Sequence, residues 1–134
     1  MKIQKPPRLS RAFGRSSPAS LCEPFSVTTT FAGDRCTIVA VAGDIDLATV
    51  AILVECAETA LKAGGVLVVD LAEVTFCSGA GLRALRRVQR RADEEAVPLA
   101  WVVRTPAMGR LLRETGAAGF SCHRDRAGAL AAVG

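Results

Sequence analysis

The chain predicts an α/β fold: a mixed, mainly parallel sheet with crossover helices and an antiparallel hairpin at its N-terminal side. Three observations carry this. Two runs rich in β-branched residues flank a short turn near residue 33. An apolar run with almost no polar alternation, Gly65 to Leu71, has the character of a central strand covered on both faces. From there to the C-terminus, strand-like runs alternate with amphipathic helical stretches.

The first 24 residues stand apart. They hold four of the six prolines and five of the basic side chains, Lys2, Lys5, Arg8, Arg11 and Arg15, against Glu23 alone. The segment reads as a disordered basic tail, and residues 25–134 as one domain. The formal charge of +4 belongs to that tail, since basic and acidic residues cancel in the rest. A solvated tail therefore explains the basic balance better than specific nucleic-acid binding.

Ser26 to Phe31 reads as the first strand, Ala32-Gly33-Asp34 as a turn and Arg35 to Ala42 as the second strand. Asp46 is placed to N-cap a helix from Leu47 to about Lys62. Leu47, Val50, Ala51, Val54, Ala57 and Leu61 make its apolar stripe, and Gly64-Gly65 closes it. The central strand follows and ends near Leu71 in a polar turn. A second helix runs from about Gly79 to Glu94 with Leu82, Leu85, Val88 and Ala92 inward. Its other faces carry Arg83, Arg86, Arg87, Arg90 and Arg91. Val97 to Val103 is a strand with Pro98 at its start. Thr105 caps a helix with Pro106 in its first position, Leu111 and Leu112 inward and Gly116 at its end. Gly119 to His123 is a short last strand, and Asp125 to Val133 a terminal helix.

Composition narrows the function. Half the residues are hydrophobic but only 4% are aromatic, with no Tyr, so Val, Leu, Ile and Ala must build the core. No apolar run reaches the ~18 residues that span a bilayer. The basic N-terminus lacks the apolar stretch of a secretory signal. The five cysteines, Cys22, Cys36, Cys56, Cys77 and Cys122, contain no CxxC pair and read as reduced thiols of a cytoplasmic protein. Nucleotide loops, a nucleophile elbow and metal clusters are absent as motifs, so neither an enzyme nor a cofactor is expected.

The stretch Val68 to Leu82 organises the chain. Strand, tight loop and helix start would bring the Ser78 hydroxyl and free backbone N–H groups to one exposed point. Two motifs meet there. Gly43-Asp44-Ile45-Asp46-Leu47-Ala48-Thr49 resembles the glycine–acid–hydrophobe–Asp–Leu-x-Thr segment of STAS domains, the anti-sigma factor antagonist family. Asp70-Leu71-x-x-Val74-x-Phe76 followed by Gly81-Leu82 resembles that family's central strand and switch loop. The resemblance covers roughly residues 25 to 133 and includes the order of elements, so it implies a STAS-like fold.

It also implies a partner switch. Family members bind an anti-sigma factor, usually a serine kinase, and so free a sigma factor for transcription. The kinase phosphorylates the antagonist on a serine at the start of the second helix, and a phosphatase reverses this. A homodimer is compatible with the pattern. The family loop reads Asp-Ser-Ser/Thr-Gly-Leu, whereas this chain reads Ser78-Gly79-Ala80-Gly81-Leu82. The usual acceptor position is Gly79, and Ser78, one residue earlier, is the candidate phosphoacceptor that remains. The substitution predicts a switch that is altered or lost.

The residues around the loop support two kinds of role each. Ser78 is either an N-cap or a phosphoacceptor, and a phosphate there would sit at a helix N-terminus with Arg83 nearby. Gly79 and Gly81 are costly in a first helical turn, so a tight loop or the close approach of a partner or strand must require them. Asp44 and Asp46 suit caps and turns better than catalysis, because no acid–base partner accompanies them. Cys77 has no neighbouring His or Lys to lower its pKa. The expected partner surface is Asp44, Asp46, Cys77, Ser78, Gly79, Ala80, Gly81, Arg83 and Arg86. Two other classes compete with it: an accessory STAS module that carries a small ligand or lipid within a larger complex, and DNA binding through the tail.

Overall fold

A computed structural model describes residues 25–114 and 120–133. The tail, Cys22, Gly116 and Gly119 lie outside the described residues. Strand β1 (Ser26–Ala32) and strand β2 (Cys36–Ile45) form the antiparallel hairpin, paired in register from Ser26 opposite Ala42 to Ala32 opposite Cys36. The turn between them uses Gly33 at φ 74°, a left-handed conformation that glycine adopts without steric cost. Helix α1 (Val50–Ala63), strand β3 (Val66–Cys77), helix α2 (Gly79–Glu94), strand β4 (Leu99–Val102), helix α3 (Pro106–Glu114), strand β5 (Cys122–His123) and helix α4 (Arg126–Val133) follow. The nine elements come in the predicted order.

The sheet order is β1-β2-β3-β4-β5, with β2 to β5 parallel. A sheet that grows in one direction through crossovers of one hand places its crossover helices on one face. The packing follows that rule. Leu53, Ala57 and Leu61 of α1, Leu85, Val88 and Ala92 of α2, and Leu112 of α3 share one core with Val39, Val41, Leu67, Val69 and Trp101. Helix α4 covers the opposite face, where Ala129 packs with Val68, Ala100 and Val102. Successive residues of β3 therefore enter opposite cores, which explains its unbroken apolar run.

Two polar contacts tie the layers together. Buried Trp101 donates its Nε1–H to Gln89 Oε1 of α2 at 2.7 Å, and Gln89 Nε2 donates to Asp93 at 3.1 Å. On the other face, Arg126 Nε donates to Asp70 Oδ2 at 2.6 Å and latches α4 to the central strand. Asp70 is only 8% exposed, and its other oxygen accepts from the Ala72 N–H.

Several boundaries differ from the sequence reading. The central strand does not end near Leu71. It continues to Cys77, because Glu73, Val74, Phe76 and Cys77 pair with Ala42, Gly43, Asp44 and Ile45 across two register shifts. Both strands are thus longer than their apolar runs, and the ladder outweighs the polar residues in them. Helix α1 starts at Val50 rather than Leu47. Asp46 Oδ1 accepts from the N–H groups of Ala48 and Thr49, which holds a turn in place of the first helical residues. Asp46 is therefore not the N-cap; Thr49 is, with its hydroxyl donated to the Asp44 carbonyl instead of a cap bond. The buried stripe of α1 becomes Leu53, Ala57, Ala60 and Leu61, while Leu47 and Ala51 are exposed. In α3, Leu112 is buried but Leu111 is exposed.

Candidate functional site

The carboxyl ends of β2 and β3 and the N-terminus of α2 meet at one exposed corner. Ser78 is the N-cap of α2, in extended conformation, and its Oγ accepts from the Gly81 N–H at 3.1 Å. Its own N–H donates to the Ile45 carbonyl at 2.8 Å, so β2 fixes where the helix begins. Gly81 is required by this packing. A Cβ there would lie 2.7 Å from Ile45 Cγ2 and 2.9 Å from Cys77 Sγ. Gly79 has no such need: only the Arg83 guanidinium, at 3.8 Å, comes near its Cβ position. The two glycines thus have different causes, a strand contact for Gly81 and an open surface at Gly79.

Asp44 stands beside the loop and accepts from the Thr75 hydroxyl at 2.6 Å. Asp46 is spent on the turn, where Oδ1 takes the Ala48 and Thr49 amides. Cys77 is half-buried, and burial pushes its thiol up to about 11. It holds its proton near neutrality and contributes packing rather than a nucleophile. Ala80 is half-buried and Arg83 exposed, and both line a groove between α1 and α2.

That groove holds about 650 Å³. Val50, Ala51, Val54, Ala80 and Ala84 supply apolar lining, with Glu55 and Glu58 from α1 and Arg83 and Arg87 from α2. Arg86 does not line it. Arg91 is bound internally, to Glu58 at 3.3 Å and Glu95 at 3.8 Å.

Sequence reasoning missed three residues at this corner. Leu47 is 79% exposed and Phe76 is 56% exposed, large apolar side chains that the core does not take. Both were read through the pattern of their neighbours, Leu47 as helix stripe and Phe76 only as a motif position. Thr75 was also missed as the partner of Asp44, because a parallel-strand contact between residues 44 and 75 leaves no local signal.

The corner, the sheet order and the helix pattern define a small mixed α/β domain with its helix-start loop exposed at one end of the sheet. The family model described as Mlab, STAS domain matches residues 28–122, and the chain belongs to the STAS domain family. An anti-sigma factor antagonist from Mycobacterium paratuberculosis is similar to it at 30% identity, over 81% of this chain and 94% of that one, with a TM-score of 0.70. SpoIIAA in its unphosphorylated form aligns at 14% identity over 81% of this chain and 97% of that one, with a TM-score of 0.65. The Bacillus SpoIIAA in its phosphorylated form aligns at 12% identity over 77% and 96%, with a TM-score of 0.62. These last two share the fold. No curated protein sequence matches significantly. Among the described residues no helix is long and apolar enough to cross a membrane, and no cluster of His, Cys, Asp or Glu is suited to a metal.

Proposed function

We infer that the protein is an anti-sigma factor antagonist. It binds an anti-sigma factor of the serine-kinase type in the cytoplasm and so frees a sigma factor. The observation that supports this most is the Ser78 corner. Leu47 and Phe76 are exposed there, and Gly79 is open without internal cause, beside a charged groove. Buried apolar anchors with a polar rim are the usual energetic pattern of a docking site. The similarity to the mycobacterial antagonist supports the same role.

Ser78 is the hydroxyl available for a phosphoswitch at the helix start. Its Oγ already accepts the Gly81 N–H, and a phosphate of about −1.5 to −2 charge would keep that acceptor role. The helix N-terminus would tolerate the charge. Release would therefore come from charge and bulk at the docking surface, not from unfolding, and a phosphatase would restore binding. Arg83, close over Gly79, is placed to reach such a phosphate.

The test is incubation with candidate kinase-type anti-sigma factors and ATP, with complex formation measured before and mass mapping after. Binding with a phosphate on Ser78 supports the whole reading. Binding without any phosphate supports an antagonist whose switch is lost. Failure of every candidate to bind removes the reading. A second reading, an accessory STAS module holding a lipid or small ligand, draws on the Mlab description of the matched family and on the apolar groove lining. Native mass spectrometry of the purified protein with a co-purified lipid would favour it.

A further inference from the structure

A second cleft opens at the carboxyl ends of β4 and β5, away from the groove between α1 and α2. It holds about 300 Å³ and is lined by Val103, Arg104, Thr105, Arg113, His123 and Arg124, among others. Three arginines thus border one small space. None of the three has a carboxylate oxygen within ion-pair distance among the described residues, where Arg91 and Arg126 hold all the ion pairs. Asp125, adjacent in sequence, does not line the cleft; its Oδ1 accepts from the Gly128 N–H at the start of α4. All three are exposed, so water screens much of their mutual repulsion, and an anion would remove what remains.

The rest of the cleft is suited to the same ligand. Arg113 folds back along α3, its guanidinium nitrogens 3.7 Å from the Cβ position of Gly109, which carries the charge toward the first turn. Proximity is visible at Cys122 too: burial raises its thiol pKa and the Arg113 charge opposes the rise. Thr105 accepts from the Met108 N–H at 3.2 Å and keeps its own hydroxyl proton to donate. His123 is held by a 2.8 Å hydrogen bond between Nε2 and the Ser121 hydroxyl. The first-turn N–H groups of α3 add partial positive charge.

We propose that this cleft binds a small phosphate-bearing molecule, its phosphate held by Arg104, Arg113 and Arg124. Arginine forks match phosphate oxygens in pairs, and 300 Å³ leaves room for little beyond the phosphate and a short organic group. The site is separate from the Ser78 corner and does not depend on the antagonist reading.

The test is a titration of the full ¹⁵N-labelled chain with inorganic phosphate, and separately with glycerol phosphate, at constant ionic strength. Saturable amide shifts at residues 103–109 and 122–124 are expected. Arg113→Gln should weaken the association by about tenfold, and Arg104→Gln should do so independently, as expected for charge-assisted contacts. Arg90→Gln, on the outer face of α2, should leave it unchanged. Tighter glycerol phosphate binding would mark an ester as the ligand, and equal binding would mark free phosphate. Non-saturating shifts, shifts centred on α2, or affinity unchanged in both cleft variants would overturn the proposal.

Discussion

Replacing Gly81 by alanine tests whether strand packing sets the position of the Ser78 corner. The new methyl carbon would sit 2.7 Å from Ile45 Cγ2, 2.9 Å from Cys77 Sγ and 3.1 Å from the Ile45 carbonyl oxygen. Ile45 is fully buried, so it has little room to withdraw. Overpacking of this kind costs about 1–3 kcal/mol, while alanine gains up to ~1 kcal/mol of helix propensity. The net expectation is a loss of ~1–2 kcal/mol. Trp101 is the single tryptophan and lies in the core, so its fluorescence reports urea unfolding. With a urea slope of about 2 kcal/mol per molar, the midpoint should fall by roughly 0.5–1 M with the slope unchanged. Gly79→Ala is the matched control. Its Cβ would meet only Arg83 at 3.8 Å, so its midpoint should stay or rise. A Gly81→Ala protein as stable as the parent, or a Gly79→Ala protein as damaged as Gly81→Ala, would refute the packing argument.

Three further outcomes follow from the same geometry. Ser78→Ala should lose about 1 kcal/mol of stability from the missing cap yet keep partner binding, whereas Ser78→Asp should weaken binding; calorimetric titration with the partner separates the two. Arg126→Gln should cost about 1–2 kcal/mol and loosen α4, seen as faster amide exchange at 126–133, because it leaves the Asp70 carboxylate without its counter-charge; Arg126 itself is 46% exposed, which keeps the loss below that of a fully buried pair. Cys77, held at about 11 by burial, should resist alkylation at neutral pH in the folded protein. Its raised pKa stabilises the fold fully below the unfolded thiol's value of 9.0, and that contribution is lost as pH rises from there through about 11.

The layout of the fold was readable because its signals are local. The unbroken apolar run of β3 announced a strand covered on both faces, and Ser78 marked the start of α2. Thr105 and Pro106 did the same for α3. What escaped was set across strands. The extension of β3 from Ala72 to Cys77 depends on pairing with β2, and the Thr75–Asp44 contact joins those two strands. The start of α1 was misplaced because Asp46 suits a helix cap and a turn equally, and only the Thr49 hydroxyl bonds decide between them. That decision exposes Leu47, which the sequence pattern had assigned to the core. The corner was placed by its motif, but the exposure of Leu47 and Phe76 beside it was not. The cationic cleft went unseen for the same reason: Arg104, Arg113 and Arg124 come from three segments that only the sheet brings together.

Hydrogen exchange of the full chain, alone and with a serine-kinase-type anti-sigma factor, tests the central claim most directly. The account predicts new protection at residues 44–47 and 75–84, with α4 unchanged. Protection centred on α4 or on the outer strand β1, with none at the Ser78 corner, would contradict it.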